Sequence, residues 1–190
     1  PETALTLLAQ WTGKNARDLP AAAREVAGEC GYLPLALGLA AAQVRDGLSF
    51  EQVLAALRQG RLEFLDHPHG SVLKSLGASV RALEKDEAAR YRELAVIPED
   101  TAMPSAVVAR LWQHTAGLRD FETHRLLARL HARGLLYLRG EGEAREVSFH
   151  DLQLDYLRLA EAERMPQLHA QLLDACARTL PTDSDGAHDW

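Results

Sequence analysis

The chain has 190 residues, of which 47% are hydrophobic and 25% charged, and its formal net charge is −6. This composition is ordinary for a soluble globular protein of one domain or two small ones, and an acidic chain does not favour general nucleic-acid binding. No apolar run approaches the roughly 18 residues that a membrane span needs, and no secretory signal is recognisable, so we expect no membrane partner.

The two cysteines, Cys30 and Cys176, are far apart and lack metal-ligand spacing. We therefore expect reduced thiols on apolar helix faces in the core of a cytoplasmic protein, and no metal site. The chain begins with Pro1 and ends on Trp190, so we expect a fragment of a longer protein. Its few lysines, at Lys14, Lys74 and Lys85, hint at a bacterial genome rich in GC.

The first sixty residues predict four short helices. Their predicted extents are Glu2 to Trp11, Pro20 to Cys30, Pro34 to Gly47, and a last helix that begins with the capping box of Ser49 and Gln52 and stops at Gly60. The third helix is apolar on nearly every face, which is typical of a buried helix. Because Pro34 needs no amide partner in the first turn, free amides and the positive end of the dipole face outward there. A phosphate or nucleotide can rest at such a place, although a proline in this position is more often only a start signal.

Residues 61–70, with His67-Pro68-His69-Gly70, break the helical pattern and predict a linker. The two histidines have no third ligand nearby, so a solvated loop is favoured over a metal site. Beyond the linker the pattern predicts four helices, a β-hairpin and two more helices. Their extents are Ser71–Leu83, Lys85–Val96, Pro104–Trp112, Asp120–Arg133, the strands Leu135–Leu138 and Glu146–Phe149, and the helices Asp151–Ala160 and Met165–Ala177.

Three helices followed by a β-hairpin is the order of elements in a winged helix. We predict a mainly α fold in which a small four-helix subdomain precedes a winged-helix domain with a short β-hairpin. The predicted bounds are 1–60 for the helical domain, 61–70 for the linker, 71–178 for the winged-helix domain and 179–190 for a linker to a following domain.

Two motifs in this order resemble the NB-ARC module of the AP-ATPases, which are signalling ATPases of the STAND class. Cys30 to Leu37 is similar to the C-x-G-L-P-L-A motif of the family's helical domain, and Phe149-His150-Asp151 is similar to the M-H-D motif that ends its winged helix. The similarity covers about Leu19 to Ala177. Tyr32 replaces a family glycine; if that position needs a positive φ, we expect the turn to use Gly31 instead.

The resemblance implies that the chain closes over ADP at rest and opens for homo-oligomerisation when ATP replaces it. Pro34 and Leu35 would lie against the adenine or ribose. His150 would reach the terminal phosphate, to which an imidazole can donate a hydrogen bond, and Asp151 would cap the next helix. A lone histidine is more often a satisfied interior residue, but the paired motifs favour a ligand role.

The family's ATPase core is missing, because no G-x-x-x-x-G-K-[ST] run occurs in the sequence. We therefore expect this fragment not to be an enzyme, although its parent would be an ATPase. The implied partners are the P-loop core, which alone would hold Mg²⁺ and most of the ADP or ATP, and a C-terminal repeat or sensor domain of the same chain.

Two other functions stay open. A DNA-binding winged-helix regulator is suggested by Arg125, Arg129 and Arg133, which follow one face of a predicted helix. The acidic wing of Glu141, Glu143 and Glu146 argues against it. A nucleotide-independent adaptor for protein partners could use Trp11, Trp112 and Trp190 as anchors.

Overall fold

The computed structural model describes residues 1–59 and 68–178. Their contacts divide the chain into two units. Unit 1 comprises Pro1–Ala88 and Leu130–Leu136, and unit 2 comprises Ala89–Arg129 and the chain from Tyr137 onward. The predicted linker over 179–190 lies outside the described residues, and so do residues 61–67 of the predicted linker over 61–70, His67 among them. The domain bounds drawn from the sequence therefore stay predictions.

Unit 1 is a helical bundle centred on its third helix. The helices are α1 (Glu2–Thr12), α2 (Ala21–Glu29), α3 (Pro34–Arg45), α4 (Phe50–Gln59) and α5 (Gly70–Arg81). Helix α3 packs against α1, α4 and α5, while α2 packs mainly against α4. The predicted capping box at the start of α4 is present, since Gln52 and Ser49 exchange bonds of 2.8 and 3.2 Å.

Most faces of α3 are covered, as its apolar sequence predicts. The buried positions run from Ala36 to Val44 with a single interruption at Gly38, and Leu37 and Leu39 are at most 1% exposed. The first turn differs, because Pro34 is exposed and Leu35 is half-buried. The helix therefore combines a buried body with an exposed N-terminus.

Unit 2 holds the remaining helices and a small sheet. The helices are α6 (Lys85–Glu93), α7 (Ser105–Ala116), α8 (Asp120–Ala132), α9 (Asp151–Ala160) and α10 (Met165–Ala177), of which α6 and α8 also contribute residues to unit 1. Helix α10 packs along α7, and both α9 and α10 contact the short 3₁₀ turn Leu94–Val96. Within this unit Trp112 is fully buried and donates its Nε1–H to the Arg90 carbonyl at 3.1 Å.

The sheet has three antiparallel strands in the order β1-β3-β2. They are β1 (Met103–Pro104), β2 (Tyr137–Arg139) and β3 (Glu146–Ser148), and the buried Val147 at the centre pairs with Met103 on one side and Leu138 on the other. The sequence predicted the β2–β3 hairpin but not β1, because two residues are too short to show an alternating pattern.

The turn that links β2 and β3 depends on a glycine. Gly140 has a φ of 70°, and a Cβ at this position would lie 2.3 Å from the Ala144 carbonyl oxygen. No side chain fits there. Leu135 and Leu136, predicted as strand residues, are instead buried before β2 begins.

The mainly α fold with a short β-hairpin is thus confirmed, whereas the name winged helix stays a prediction. Across residues 1–59 and 68–178, none of the helices is both long enough and apolar enough to cross a bilayer.

Candidate functional site

The loop that leads into α3 begins with a glycine-dependent helix end. The amide of Gly31 donates to the Gly28 carbonyl at 2.9 Å, and the amide of Tyr32 donates to the Ala27 carbonyl at 3.0 Å. These two bonds are the Schellman pattern, in which the residue after the helix cap adopts a left-handed conformation. Gly31 does so with a φ of 59°. Helix α2 therefore ends just before Gly31, because glycine adopts this left-handed conformation without strain.

Tyr32 corrects one expectation. Gly31 was expected to take the positive φ in place of Tyr32, but Tyr32 also has a positive φ, of 58°. A left-handed conformation costs a residue with a Cβ roughly 1–2 kcal/mol. Tyr32 is nevertheless half exposed, and its hydroxyl lies near Gly28 of α2, where an added Cβ would be 3.9 Å away.

Cys30 closes the base of the same loop. Its thiol is fully buried and donates to the carbonyl of Ala36 at 3.5 Å, across the loop that carries Tyr32. Burial raises the pKa of this thiol to about 11, although the nearby Ser75 hydroxyl lowers it in part. Cys30 is thus the reduced core residue that the sequence predicted. Cys176 is only half-buried, so its assignment to the core was wrong.

The start of α3 presents backbone donors without a side-chain cap. Leu33 is the N-cap residue and makes no capping bond through its side chain, and Pro34 occupies the first turn. The first amides of a helix have no partner within the helix, and the helix dipole places partial positive charge among them. Leu33 and Pro34 are exposed beside these amides, and Leu35 is half-buried. This end of the helix can accept an anion or the polar edge of a ligand.

His150 is the N-cap of α9. Its Nδ1 accepts a hydrogen bond from the backbone amide of Leu152 at 3.2 Å, and its own amide donates to Gln153 Oε1 at 2.9 Å. The two bonds form a reciprocal capping box. Because Nδ1 acts as an acceptor, the remaining proton of the neutral ring sits on Nε2. The imidazole is exposed, so Nε2–H can donate to an oxygen outside this helix.

This geometry revises the role of Asp151. The resemblance implied that Asp151 caps the helix, but Asp151 is the first helical residue, and the cap is His150 itself. Gln153 completes the cap and was not among the predicted residues. Its position three residues after His150 has the spacing of a capping box, but histidine is not one of the usual N-cap residues, so the pattern is hard to recognise in the sequence.

Phe149, which stands where the family has methionine, is held by an aromatic contact. Its ring centroid lies 6.3 Å from that of Tyr91, at an interplanar angle of 47°. Tyr91 is fully buried, and burial raises the pKa of its hydroxyl. The residue before His150 therefore packs against a buried ring of unit 2 at the start of α9.

The predicted ligand residues fall in separate units. Pro34 and Leu35 belong to unit 1, and His150 belongs to unit 2. Each end is compatible with a nucleotide phosphate or its sugar and base, because one offers uncapped amides and the other an N–H donor. Within residues 1–59 and 68–178, no group of three or more histidine, cysteine or acidic side chains is arranged to hold a metal ion.

Three of the residues behind the two other functions, Arg125, Arg133 and Trp112, make contacts in the structure. Arg125 stacks over Phe121 at 5.7 Å from the ring centroid, and Arg133 pairs with Asp46 at 2.6 Å. The predicted arginine stripe is therefore not a continuous free surface. Trp112 is buried and cannot anchor a partner, Trp11 is half-buried, and Trp190 lies outside the described residues.

Comparisons with known proteins agree with one resemblance. No family model matches the chain. The chain is 27% identical over 177 residues to the apoptotic protease-activating factor 1 of Danio rerio, and the match covers 90% of this chain and 14% of the relative. The corresponding protein of Homo sapiens is 24% identical, with 100% of this chain and 16% of the relative covered. The chain is thus similar to this factor over most of its length and spans about one seventh of it.

Proposed function

We propose that this chain is the nucleotide-sensing regulatory part, a helical lid and a winged helix, of a STAND-type signalling ATPase of the NB-ARC group. The observation that carries the proposal is the similarity to apoptotic protease-activating factor 1 over 90–100% of the chain. The two helix ends support it, since each presents a donor suited to a nucleotide at a motif that resembles one of the family.

The start of α3 supplies shape and backbone polarity. The exposed Pro34 ring and half-buried Leu35 offer an apolar surface for the adenine or ribose of ADP, and the uncapped amides favour nearby negative charge. The Cys30 thiol and the Schellman turn hold the preceding loop, so the surface is formed before a ligand arrives. Preorganisation of this kind lowers the entropic cost of binding.

His150 supplies a directed donor. The amide of Leu152 occupies Nδ1, so Nε2–H is the ring atom left to donate to a terminal phosphate oxygen of ADP. A bond from one unit to a ligand held by the other would favour a closed arrangement. A ligand shifts an equilibrium between two arrangements only by the difference between its affinities for them. ADP would bind the closed arrangement more tightly than ATP does, so exchange of ADP for ATP would shift the population toward the open arrangement.

The implied partners are further domains of the same protein, first of all the P-loop ATPase core, whose motif does not occur in this sequence. A P-loop domain upstream would hold the phosphates and Mg²⁺, and the chain itself would perform no hydrolysis. A repeat or sensor domain downstream would set the signal, and the open form would assemble into a homo-oligomer in the cytoplasm. The organism would be bacterial.

The test uses a longer protein that extends about 150 residues upstream, a domain's worth of chain. It is purified, denatured and analysed by chromatography for released nucleotide. We expect ADP from the unmodified protein and a clear loss of ADP from His150→Ala. His150→Asn is the sharper variant, because asparagine caps helices well, but its side chain is shorter and cannot place an N–H donor where Nε2 of the imidazole lies. It should lose ADP while α9 keeps its cap.

His169→Ala, which changes an exposed histidine of α10, is the matched control and should retain ADP. Full ADP retention in both His150 variants would remove His150 from the site. Absence of nucleotide, together with the absence of a P-loop in the added residues, would overturn the proposal and leave a nucleotide-independent adaptor.

A further inference from the structure

Unit 2 contains a cleft between α7, the start of α8 and the turn that links β2 to β3. Its volume is about 710 Å³, which is within the range of sites that hold small molecules in proteins. Helix α7 contributes residues spaced by three and four positions, so they lie on one face of the helix. These residues are Ala106, Ala109, Arg110 and Gln113.

The backbone holds Arg145 of the turn beside α7. The Arg145 carbonyl accepts a hydrogen bond from the amide of Ser105, the first residue of α7, at 2.8 Å. At the same place β1 pairs with β3, with Pro104 opposite Glu146. The turn and the start of α7 therefore run together, and the side chains of Arg110 and Arg145 line the same cleft.

The two arginines of the cleft are cations without a counter-ion. Arg110 and Arg145 are both half-buried, and neither guanidinium makes a hydrogen bond or an ion pair in the part of the chain that the structure describes. The half-buried Arg90, Arg133 and Arg158, by contrast, each pair with a carboxylate. Partial burial removes water from a charge, and charges placed in this way are usually paired. The cleft therefore favours an anion from outside the chain.

Helix α8 adds two polar groups to the wall. Nδ1 of the half-buried His124 lies 2.8 Å from the Asp120 carbonyl oxygen, which can only accept, so Nδ1 carries the proton of the neutral ring and Nε2 is left for a ligand. The Asp120 side chain is exposed and is the one carboxylate among the described residues that line the cleft. Two guanidiniums against one carboxylate leave the wall with a net positive charge.

We propose that this cleft is a binding site for a small phosphate monoester with a hydroxyl-bearing body. The phosphate bonds to Arg110 and Arg145, because the fork of a guanidinium matches two phosphate oxygens at once. A phosphate monoester carries a charge of about −1.5 to −2 at pH 7, more than a single carboxylate does. A hydroxyl of the body donates to the Asp120 carboxylate. Each of these three side chains keeps accessible surface, so a ligand in the cleft can reach it.

The surroundings of the cleft favour a small ligand over a nucleic acid. The exposed Glu141 and Glu146 lie on either side of the turn segment that carries Arg145, and their charges would repel a polyanion that extends beyond the cleft. A small phosphate ester is confined to the cleft itself. The site requires neither Pro34 nor His150, so it is independent of the nucleotide contacts proposed above.

The probe is glycerol 3-phosphate, titrated into the chain and followed by NMR at the side-chain Nε–H signals of Arg110 and Arg145. We expect saturable shifts of both signals, with a dissociation constant of roughly 1 mM, as is usual for so small a ligand. Glycerol lacks the phosphate and should give no saturable shift. Succinate is also a dianion, but each of its carboxylates carries a single charge, so it should bind about tenfold more weakly.

Arg110→Gln and Arg145→Gln each remove one guanidinium and keep a polar side chain. Each should weaken the binding of glycerol 3-phosphate about tenfold, the effect of one lost hydrogen bond between charged groups. Arg24→Gln is the matched control, because it makes the same change in net charge at an exposed arginine of α2 in unit 1. It should leave binding unchanged.

Four results would each overturn the proposal: no saturable shift with glycerol 3-phosphate, equal binding of glycerol or succinate, unchanged binding in both cleft variants, and an equal loss in Arg24→Gln. The last would mean that net charge alone attracts the anion. Tighter binding of a short DNA duplex that both cleft variants weaken would also overturn it, in favour of a nucleic-acid interface. If a variant does not fold, the comparison of the three probes on the unmodified chain decides.

Discussion

The helices that begin at the two motifs start in opposite ways. Helix α3 begins with Leu33 and Pro34, and no side chain within the described residues caps its first turn. Helix α9 begins with a capping box. The His150 ring accepts a hydrogen bond from the Leu152 amide, and the Gln153 side chain accepts one from the His150 amide. One helix leaves its backbone amides for something outside, whereas the other uses them internally and leaves a side-chain donor.

The contrast separates two means of ligand contact. The uncapped end of α3 offers partial charge and the amides of Leu35 and Ala36, since the Leu33 amide already donates to the Cys30 carbonyl and Pro34 has no N–H. A capped end with an exposed imidazole offers a single directed N–H, which is sensitive to distance and to the identity of one residue. Substitution should therefore affect the start of α9 through its side chain, and the start of α3 mainly through its backbone and its buried body.

The largest effect is expected inside α3. Leu37 is fully buried and Leu35 is half-buried, so Leu37→Ala should cost about 2–5 kcal/mol of unfolding free energy and Leu35→Ala clearly less. Urea denaturation of both variants measures the difference. Equal losses would contradict the division of α3 into a buried body and an exposed first turn.

The next effect concerns the loop before α3. Gly31→Ala should destabilise unit 1 by roughly 1–2 kcal/mol, because φ is 59° and the new Cβ would lie 3.1 Å from the Ser71 hydroxyl. Tyr32→Gly should act in the opposite direction, with a gain of up to about 1 kcal/mol as the strain at φ 58° is relieved. Thermal melts of both variants provide the measurement. A loss of stability in Tyr32→Gly would show that contacts of the tyrosine side chain outweigh its strain.

A smaller effect is expected at the start of α9. His150→Ala removes the acceptor for the Leu152 amide and should cost about 1 kcal/mol, whereas His150→Asn should restore most of that loss. Chemical denaturation of the chain without nucleotide tests this. If both variants are as stable as the unmodified protein, the imidazole has no capping role, and an effect on ADP retention would then reflect ligand contact alone.

The sequence predicted the elements well and their ends less well. The buried body of α3 and its proline start follow from apolar periodicity and from the fixed φ of proline, which are local properties. The conformation of Tyr32 could not be read in this way, because a left-handed residue with a Cβ persists only when surrounding bonds hold it. Here the Tyr32 amide bonds to Ala27, and Cys30 bonds across the loop to Ala36.

The capping role of His150 was missed for a related reason. Propensity favours aspartate as an N-cap, but the extended conformation of the cap (φ −78°, ψ 146°) falls on His150, and Asp151 is already the first helical residue. The cleft lined by Arg110 and Arg145 was also out of reach, since it joins residues from α7, α8 and the turn between β2 and β3 that are distant in sequence.

A third helix start gives the smallest predicted effect and extends the comparison to pH. The carboxylate of Glu122 accepts hydrogen bonds from the Arg119 guanidinium and, at 2.9 Å, from the Arg119 amide, and these bonds lower the pKa of Glu122 from 4.5 to about 2. A lowered pKa stabilises the folded state above the unfolded value of 4.5, and that contribution disappears as the pH falls toward 2.

Glu122→Gln should remove this small dependence, because the neutral amide does not titrate. The effect is limited by the exposure of the pair to solvent, which screens it. Melting temperatures at pH values of about 6 and 3 measure it, with Glu163→Gln on an exposed carboxylate as the control. An NMR titration midpoint of Glu122 near 4.5 would show that the carboxylate does not hold the start of α8. A midpoint near 2 would show that this helix start is sensitive to acid. The starts of α3 and α9 have no capping carboxylate and would not share that sensitivity.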